Sequence, residues 1–505
     1  RAMSKSSIQQ LELKIDGQDA SSLAPYRALL RERISSISEY RVQFQGGSEL
    51  KSEDILFKKA TIKITLDGRD KSFHGLVKSF SLLGVGQQGN IHYSVEICPQ
   101  LFLLGLGEAH DIYGTSGQVD VLDIIKSELT HDQAKSPNKT QSKGRVGGNY
   151  AEFRTQGSYP KRDFVVQYAE SDLSFLSRLM EKYGIFYFFE QGEGGEKLIF
   201  GDSPSCFPPS RDDTQLTFRR ASGSISESMN ISSFAKRDVA KPAKVYLQDY
   251  NWRNPDASLM LDVDVSGPGQ GSIYGYGHHF LDKSEGQALA KVIAEAEYCH
   301  AHYFEGESDC IFLGAGQQFS QSEHPVSQFN GDFTVTEIVH EISLANSSLD
   351  AFEEMDFQTS YQNRFVCIEA NTPFKNLAKT PIPKIHGFVY GVVDGDGDGK
   401  RAEINDYGQY KVRLYFDLRD EKPASASCYV RKSEVYGGAD MGMHYPLLKG
   451  TEVLVGFSHG DVDRPIIVGV MPNSKLKSVV IGGNKTSNVI KSASGITVTM
   501  FDGDG

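Results

Sequence analysis

Between Cys428 and Pro472 the chain reads CYVRKSEVYGGADMGMHYPLLKGTEVLVGFSHGDVDRPIIVGVMP, a stretch that predicts a β-hairpin. Lys449-Gly450 is a turn signal ahead of Thr451–Phe457, where Val453 and Val455 share one face, and Ser458-His459-Gly460-Asp461 reverses the chain before Ile466–Val470. Pro465 lacks an N–H, so it suits the opening of a strand and not its interior, which makes Asp463-Arg464-Pro465 an entry corner. Upstream, YGQYKVRLYFDLRD alternates Tyr410, Val412, Leu414 and Phe416 on one face with Lys411, Arg413 and Tyr415 on the other. Several short strands within roughly 90 residues suggest a small closed barrel of the OB-fold type.

After this barrel the pattern changes. From Ser474 to Gly505, short apolar pieces (Val479-Val480-Ile481, Val489-Ile490, then Ile496, Val498 and Met500) are separated by GGNKTS and SASG. They read as the first rungs of a β-helix or β-prism. One copy of so thin a ladder has almost no interior, and a Val or Ile left wet forgoes about 1.5–3 kcal/mol. Three copies wound together would bury them.

A chain of 505 residues exceeds one hydrophobic core and points to about three domains. Its net charge of −12 argues against nucleic acid or an anionic membrane surface as the main partner. No apolar run approaches the ~20 residues that span a bilayer. Arg1-Ala2-Met3-Ser4-Lys5 leads into mixed polar sequence without a signal-peptide pattern, so any export is expected to bypass Sec signals. Cys98, Cys206, Cys299, Cys310, Cys367 and Cys428 form no C-x-x-C pair and fit reduced thiols and cytosolic assembly.

From Ile8 to Ile97 the signal is strand-like. Leu11, Leu13 and Ile15 alternate before Asp16-Gly17, and Ile62, Ile64 and Leu66 alternate before Asp67-Gly68. This predicts a first β-barrel. A short helix is expected over Val121–Leu129, with Val121, Leu122, Ile125 and Leu129 on one face, followed by the exposed polar run HDQAKSPNKTQSKG. In Gln167–Phe189, Asp172 is the predicted N-cap, Leu173, Leu176, Leu179, Met180 and Tyr183 form a helical stripe, and Gly184 sits where a left-handed residue ends the helix before an aromatic strand. Lys and Arg do not concentrate around those aromatics, so core packing is expected there and not base stacking. A β-rich region begins at Gln215. Asp282 and Glu285 read as a capping box for a helix carrying Ala288, Leu289, Val292, Ile293 and Ala296 and reaching about Tyr303.

KGTEVLVGFSHGDVDRPIIVG after the YGQYKVRL strand resembles the OB barrel of the VgrG family, the valine-glycine repeat spike proteins of type VI secretion. QYAESDLSFLSRLMEKYGIFYFF and EGQALAKVIAEAEYCHAHYFEGES are similar to segments of the family's hub. The resemblance implies a mainly β chain with a few helices: a hub at 1–375 with two β-barrel subdomains, the second over roughly Gln215–Phe365. A linker follows at 376–383, then an OB-fold barrel at 384–473 and the start of a trimeric β-helix needle at 474–505. It further implies a homotrimer whose six barrels form a pseudo-sixfold face on the hexameric Hcp tube. Its partners would be a PAAR-repeat tip, baseplate proteins and secreted effectors, with transient membrane puncture and no intrinsic catalysis. No residue-level repeat relates the two hub barrels. A phage or tailocin hub-spike protein, a β-rich carbohydrate or cell-wall hydrolase and a calcium-dependent adhesin are the rivals. The β pattern is still running at Gly505, so a longer needle is expected, and an effector tail is not legible.

Candidate chemistry is weak throughout. Asp394, Asp396 and Asp398 occupy EF-hand positions, but Asn405 stands where a bidentate Glu is wanted, so a solvated acidic turn is expected. His278-His279 and Cys299-His300-Ala301-His302 match no zinc spacing, and in a helix residues 299, 300 and 302 diverge. Gly456-Phe457-Ser458-His459-Gly460 fits G-x-S-x-G but lacks the following helix of a nucleophile elbow. The G-x-G-x-x-G at Gly84–Gly89 precedes a strand where a dinucleotide site needs a helix. No catalytic, cofactor-binding or metal residue is assigned.

Overall fold

The computed structural model describes residues 8–86, 89–130, 146, 150–192, 194–219, 229–344, 359–396, 400–419 and 422–503. The polar run at 131–144 lies outside them, as do Gln87-Gln88 of the glycine motif and 397–399 of the acidic loop. The chain divides into two compact units. One comprises 1–106, 145–159 and 176–380, and the other 107–144, 160–175 and 381–505.

The first unit is built on two sets of six strands in one sheet. The first set is β1 (Ile8–Ile15), β2 (Leu23–Arg33), β3 (Glu39–Gly46), β4 (Lys59–Leu66), β5 (Arg69–Val85) and β6 (Ile91–Cys98). The second is β7 (Gln215–Phe218), β8 (Asn230–Asp238), β9 (His302–Ser308), β10 (Gln318–Ser322), β11 (Gly331–Ser343) and β12 (Ser360–Glu369). Period-2 patterning does what was expected: Leu11, Leu13, Ile15, Ile62, Ile64 and Leu66 all face the core. Asp67 and Gly68 both take positive φ (49° and 73°), the type I′ geometry that suits the right-handed twist of the β4–β5 hairpin.

The pairings reveal a repeat that residue comparison missed. The first set is hydrogen-bonded in the order β1-β4-β5-β6-β3-β2, and the second in the order β7-β8-β9-β12-β11-β10 with β10 returning to β7. Numbered one to six in each set, both contain the run 2-3-6-5-4-1; in the second set strand 1 also pairs with strand 2, a pairing not seen between β1 and β2 among the described residues. They differ in direction as well: β7 runs parallel to β8 and β10, whereas β1 is antiparallel to β4. The two barrels are joined where β2 pairs antiparallel with β11, from Arg33↔Glu337 to Arg27↔Ser343.

Between β8 and β9 a three-stranded sheet (Lys244–Asp249, Leu259–Asp264, Ser272–Tyr276) packs on the helix Lys283–Ala301. Asp282 caps that helix by accepting from Glu285 N at 2.9 Å, and Glu285 reaches back to Leu281 N at 3.1 Å. The buried stripe is Leu289, Ala290, Ala294, Ala296 and Cys299; Ala288 is exposed and Val292 and Ile293 are only half-buried, because small residues sit where the sheet comes closest. Gly286 marks the tightest point, since a Cβ there would lie 2.4 Å from Leu261.

The helix Asp172–Tyr183 ends as predicted, with Gly184 at φ 71° and Ile185 N donating to Met180 O. Its start is corrected: Ser171 Oγ accepts from Ser174 N at 3.1 Å, while Asp172 accepts from Gln167 Nε2. The aromatic run that follows is fully buried through Phe186 and Phe188, as expected for core. The helix Val121–Thr130 buries Val121, Ile124, Ile125 and Leu129; Leu122 is half-buried, and the carboxylate of Glu128 takes the inward place beside Tyr113 Oη. The predicted linker follows a buried Phe374 and is itself pinned along its first half, with Asn376 Nδ2 donating to Ser35 Oγ at 2.7 Å and Lys379 N and Thr380 N donating to Glu181.

The second unit centres on a five-stranded barrel ordered Val412–Leu414, Val389–Val393, Glu452–Phe457, Pro465–Val470, Arg431–Lys432. The predicted hairpin runs from Phe457↔Pro465 to Val453↔Val470, with Pro465 at the strand opening. Tyr410, Val412, Leu414, Val453, Val455 and Ile467 fill the interior.

Candidate functional site

Two features of the second unit and one of the first carry polar or apolar chemistry beyond ordinary packing. The first is the segment beyond the barrel. Asn473 turns the chain outward: its Oδ1 accepts from Lys475 N and Leu476 N, and its Nδ2 donates to Glu452 Oε2 at 2.8 Å. Asn484 then closes a turn over Ile481, and Ser487–Lys491 pairs antiparallel with Thr497–Phe501, with Ile490 opposite Val498. In this single copy the ladder's apolar side chains are wet: Ile481 is 56% exposed, Ile496 72%, Val498 53%, Met500 57% and Phe501 75%. Contiguous exposed apolar surface of this kind marks an interaction face.

The second feature is Arg419, 4% exposed at the side chain and inside the second unit. Its guanidinium forks onto Asp417, Nε to Oδ1 at 2.8 Å and Nη2 to Oδ2 at 2.9 Å, and also donates to Ile112 O and Ala426 O. Asp463 Oδ1 accepts from Val166 N at 2.7 Å. These bonds bolt the strands Ala109–Tyr113 and Val165–Glu170, distant in sequence, onto the barrel. Reading the sequence by apolar alternation stopped at Phe416 and did not single out Arg419; the alternation of charge in YFDLRD was the available signal.

The third is a buried polar cluster at the seam between β2 and β11. Glu32 accepts from Tyr40 Oη at 2.9 Å and Ala315 N at 3.1 Å, and burial pushes its carboxyl pKa up while Lys71 opposes that rise. Burial lowers the Lys71 pKa. His340 Nδ1 bonds Tyr361 Oη at 2.7 Å, and burial holds its imidazole at about 3. A depressed folded pKa means that the contribution of neutral His340 is complete above pH 6.5 and is lost as pH falls towards 3, at about 1.4 kcal/mol per pH unit. Burial acts oppositely on Glu196, raising it from 4.5 to about 7, so its contribution is complete below pH 4.5 and lost as pH rises through 7. The two slopes oppose each other between pH 4.5 and 6.5. Glu196→Gln is therefore expected to fall in melting temperature more steeply than the parent from pH 6.5 to 4.5; equal slopes in thermal melts would refute the pairing.

The sequence-level candidates scatter. Cys299 Sγ faces Ala296 O and Lys375 O, His300 Nε2 bonds Lys375 O, and His302 Nδ1 bonds Asp238 at 2.6 Å. Among the described residues no three His, Cys, Asp or Glu gather as a metal-holding group. Asp394 is engaged by Gly395 N and Ala426 N. Ser458 opens a tight turn between antiparallel strands, with His459 at φ 56° and no helix after it. Gly86 N bonds Asn90 O at the foot of a strand. None of the six cysteines forms a disulfide, and burial lifts Cys98, Cys299 and Cys310 to about 12, leaving them unreactive.

The first unit thus holds two like barrels, and the second an OB-type barrel and a wet apolar ladder. The phage tail baseplate hub (GPD) model matches residues 31–346, and the type VI secretion system/phage-baseplate injector OB domain matches 402–471. The chain belongs to the phage tail baseplate hub family and is similar to VgrG spike proteins. It is 30% identical over 481 residues to the type VI secretion system spike protein VgrG5 of Pseudomonas aeruginosa, covering 92% of this chain and 58% of that one. It is 26% identical to the actin cross-linking toxin VgrG1 of Vibrio cholerae, over 87% of this chain and 40% of the toxin. The chain thus spans a little over half of the Pseudomonas relative's length. Its fold matches the E. coli c3393 protein, a type VI secretion component similar to the T4 tail proteins gp27 and gp5, with a TM-score of 0.64 at 21% identity over 91% of this chain and 99% of that one. It also matches a chain of a lidless PdpA–VgrG complex, with a TM-score of 0.60 at 9% identity over 98% of this chain and 94% of that one. No helix among the described residues is long and apolar enough to cross a membrane.

Proposed function

We propose that this chain is a structural spike subunit of a type VI secretion system and acts as a trimer. In this reading residues 1–375 are the hub, 376–383 the linker, 384–473 the OB barrel and 474–505 the opening of a puncturing needle. Three copies bring six like barrels around one axis, a face suited to a hexameric Hcp tube, with baseplate proteins around the hub, a PAAR-repeat tip on the needle and effectors as cargo. The chain does no chemistry itself. It assembles in the bacterial cytoplasm and leaves with the tube.

The observation that carries this reading is the wet ladder: Ile481, Ile496, Val498 and Met500 each stand more than half exposed in a single copy. Side chains so exposed gain on the order of 1 kcal/mol each when companions cover them. Light scattering on this chain is expected to give three times its 55.8 kDa. A species of one chain mass at micromolar concentration would overturn the proposal.

A further inference from the structure

Among the described residues, the hub carries two strand edges without a partner strand that match, element for element, the two edges already joined within the chain. In the second barrel, β11 pairs with β10 only through Gly331–Thr334. A bulge follows between Val335 and Glu337, and the edge freed beyond it, Glu337–Ser343, takes up β2. In the first barrel the equivalent strand, β5, pairs with β4 only through Arg69–Leu76 and carries its bulge at the same place, between Val77 and Ser79. Its continuing edge, Ser79–Val85, pairs with no strand on that side among the described residues. That edge is apolar: Leu82 is 56% exposed and Val85 59%. Isolated proteins blunt such edges with charge, proline or a covering loop.

The other half of the match lies on β8. β2 has a bulge against β3 between Pro25 and Arg27, and Arg27–Arg33 beyond it meets β11. β8 has its bulge against β9 between Ile231 and Ser233, and pairs with β7 only at Asn230 and Ile231. From Ser233 onward its β7-side edge pairs with no strand among the described residues.

We infer that Ser79–Val85 of one copy takes up Ser233–Val239 of a second copy as an antiparallel strand pair, repeating between chains the seam that joins the two barrels within one. Aligning the bulges transfers the register: Glu337↔Arg33 becomes Ser79↔Val239, and Val339↔Arg31 becomes Ser81↔Arg237. Side-chain parity agrees, since Phe80 packs on the core as Ile338 does and Phe234 is buried as Ala28 is. The contact is heterologous, one patch against a different one, so every copy keeps one donor and one acceptor edge until a ring closes. This deepens the trimer proposal and rests on it, adding which surfaces meet and in what register.

The test uses the full chain with Ser81→Cys and Arg237→Cys, both exposed positions ahead of a further β5 irregularity at Leu82/Gly84. Mixing the two single variants under mild oxidation is expected to give a covalent dimer on a non-reducing gel, and the double variant covalent species up to the closed ring. Either single variant alone is expected to give none. Amide exchange at Ser81–Val85 should slow at least tenfold in the assembled protein relative to dissociated chains. An oligomer by light scattering that forms no such disulfide and leaves those amides unprotected overturns the edge pairing while the trimer stands. A single-chain mass overturns both.

Discussion

Arg419→Ala is expected to destabilise the second unit by about 3–5 kcal/mol, a large share of the 5–15 kcal/mol that holds a typical domain together. The substitution removes a side chain 4% exposed and strands the Asp417 carboxylate, itself 1% exposed, without the fork that neutralises it. The carbonyls of Ile112 and Ala426 lose the same donor. Arg419→Lys should rescue little, because an ammonium cannot make the two parallel bonds to Asp417 and still reach both carbonyls. Replacing both charges, Arg419→Met with Asp417→Leu, is expected to recover much of the loss, since the cost lies in a buried carboxylate left with Arg413 at 3.7 Å in place of the two-pronged fork. Denaturant unfolding followed at barrel tyrosines checks the series; a loss under 1 kcal/mol for Arg419→Ala would show that the bolt is ornamental.

Ile490→Asp with Val498→Asp is expected to abolish assembly while leaving the separate chain as stable as before. These two residues face each other across the terminal hairpin and are 43% and 53% exposed, so a carboxylate at either costs the lone copy little. In a bundle of three, six carboxylates would converge where apolar contacts are required, and desolvating each costs several kcal/mol. Light scattering should fall from three chain masses to one with the melting temperature of the isolated chain unchanged. Persistence of the large species would place the assembly contacts entirely in the hub.

Much of the architecture was legible because it is written in local periodicity. Alternation marked the core faces of β1 and β4, Asp67-Gly68 marked a type I′ turn, and Gly184 marked the helix end, each a matter of backbone chemistry over a few residues. The helix faces were read less well, because Ala290, Ala294 and Gly286 are buried for their smallness against a nearby sheet, and apolar counting favours the larger Val292 and Ile293. Arg419 was invisible for a related reason: its partners Ile112 and Thr115 come from a segment some three hundred residues earlier.

The amino-acid order alone therefore determined that the chain is β-rich, where most of its strands and caps fall, and that its last thirty or so residues carry more apolar surface than so thin a segment can hide. Tertiary structure alone decided that the two barrels share the run 2-3-6-5-4-1, that segments 107–144 and 160–175 group with the OB-type barrel, and that one edge of β5 and one of β8 take no partner strand among the described residues. Strand pairing is a contest among edges whose local patterns look alike. It is settled by bulges and register across long stretches of chain, through backbone hydrogen bonds that leave no imprint on side-chain periodicity.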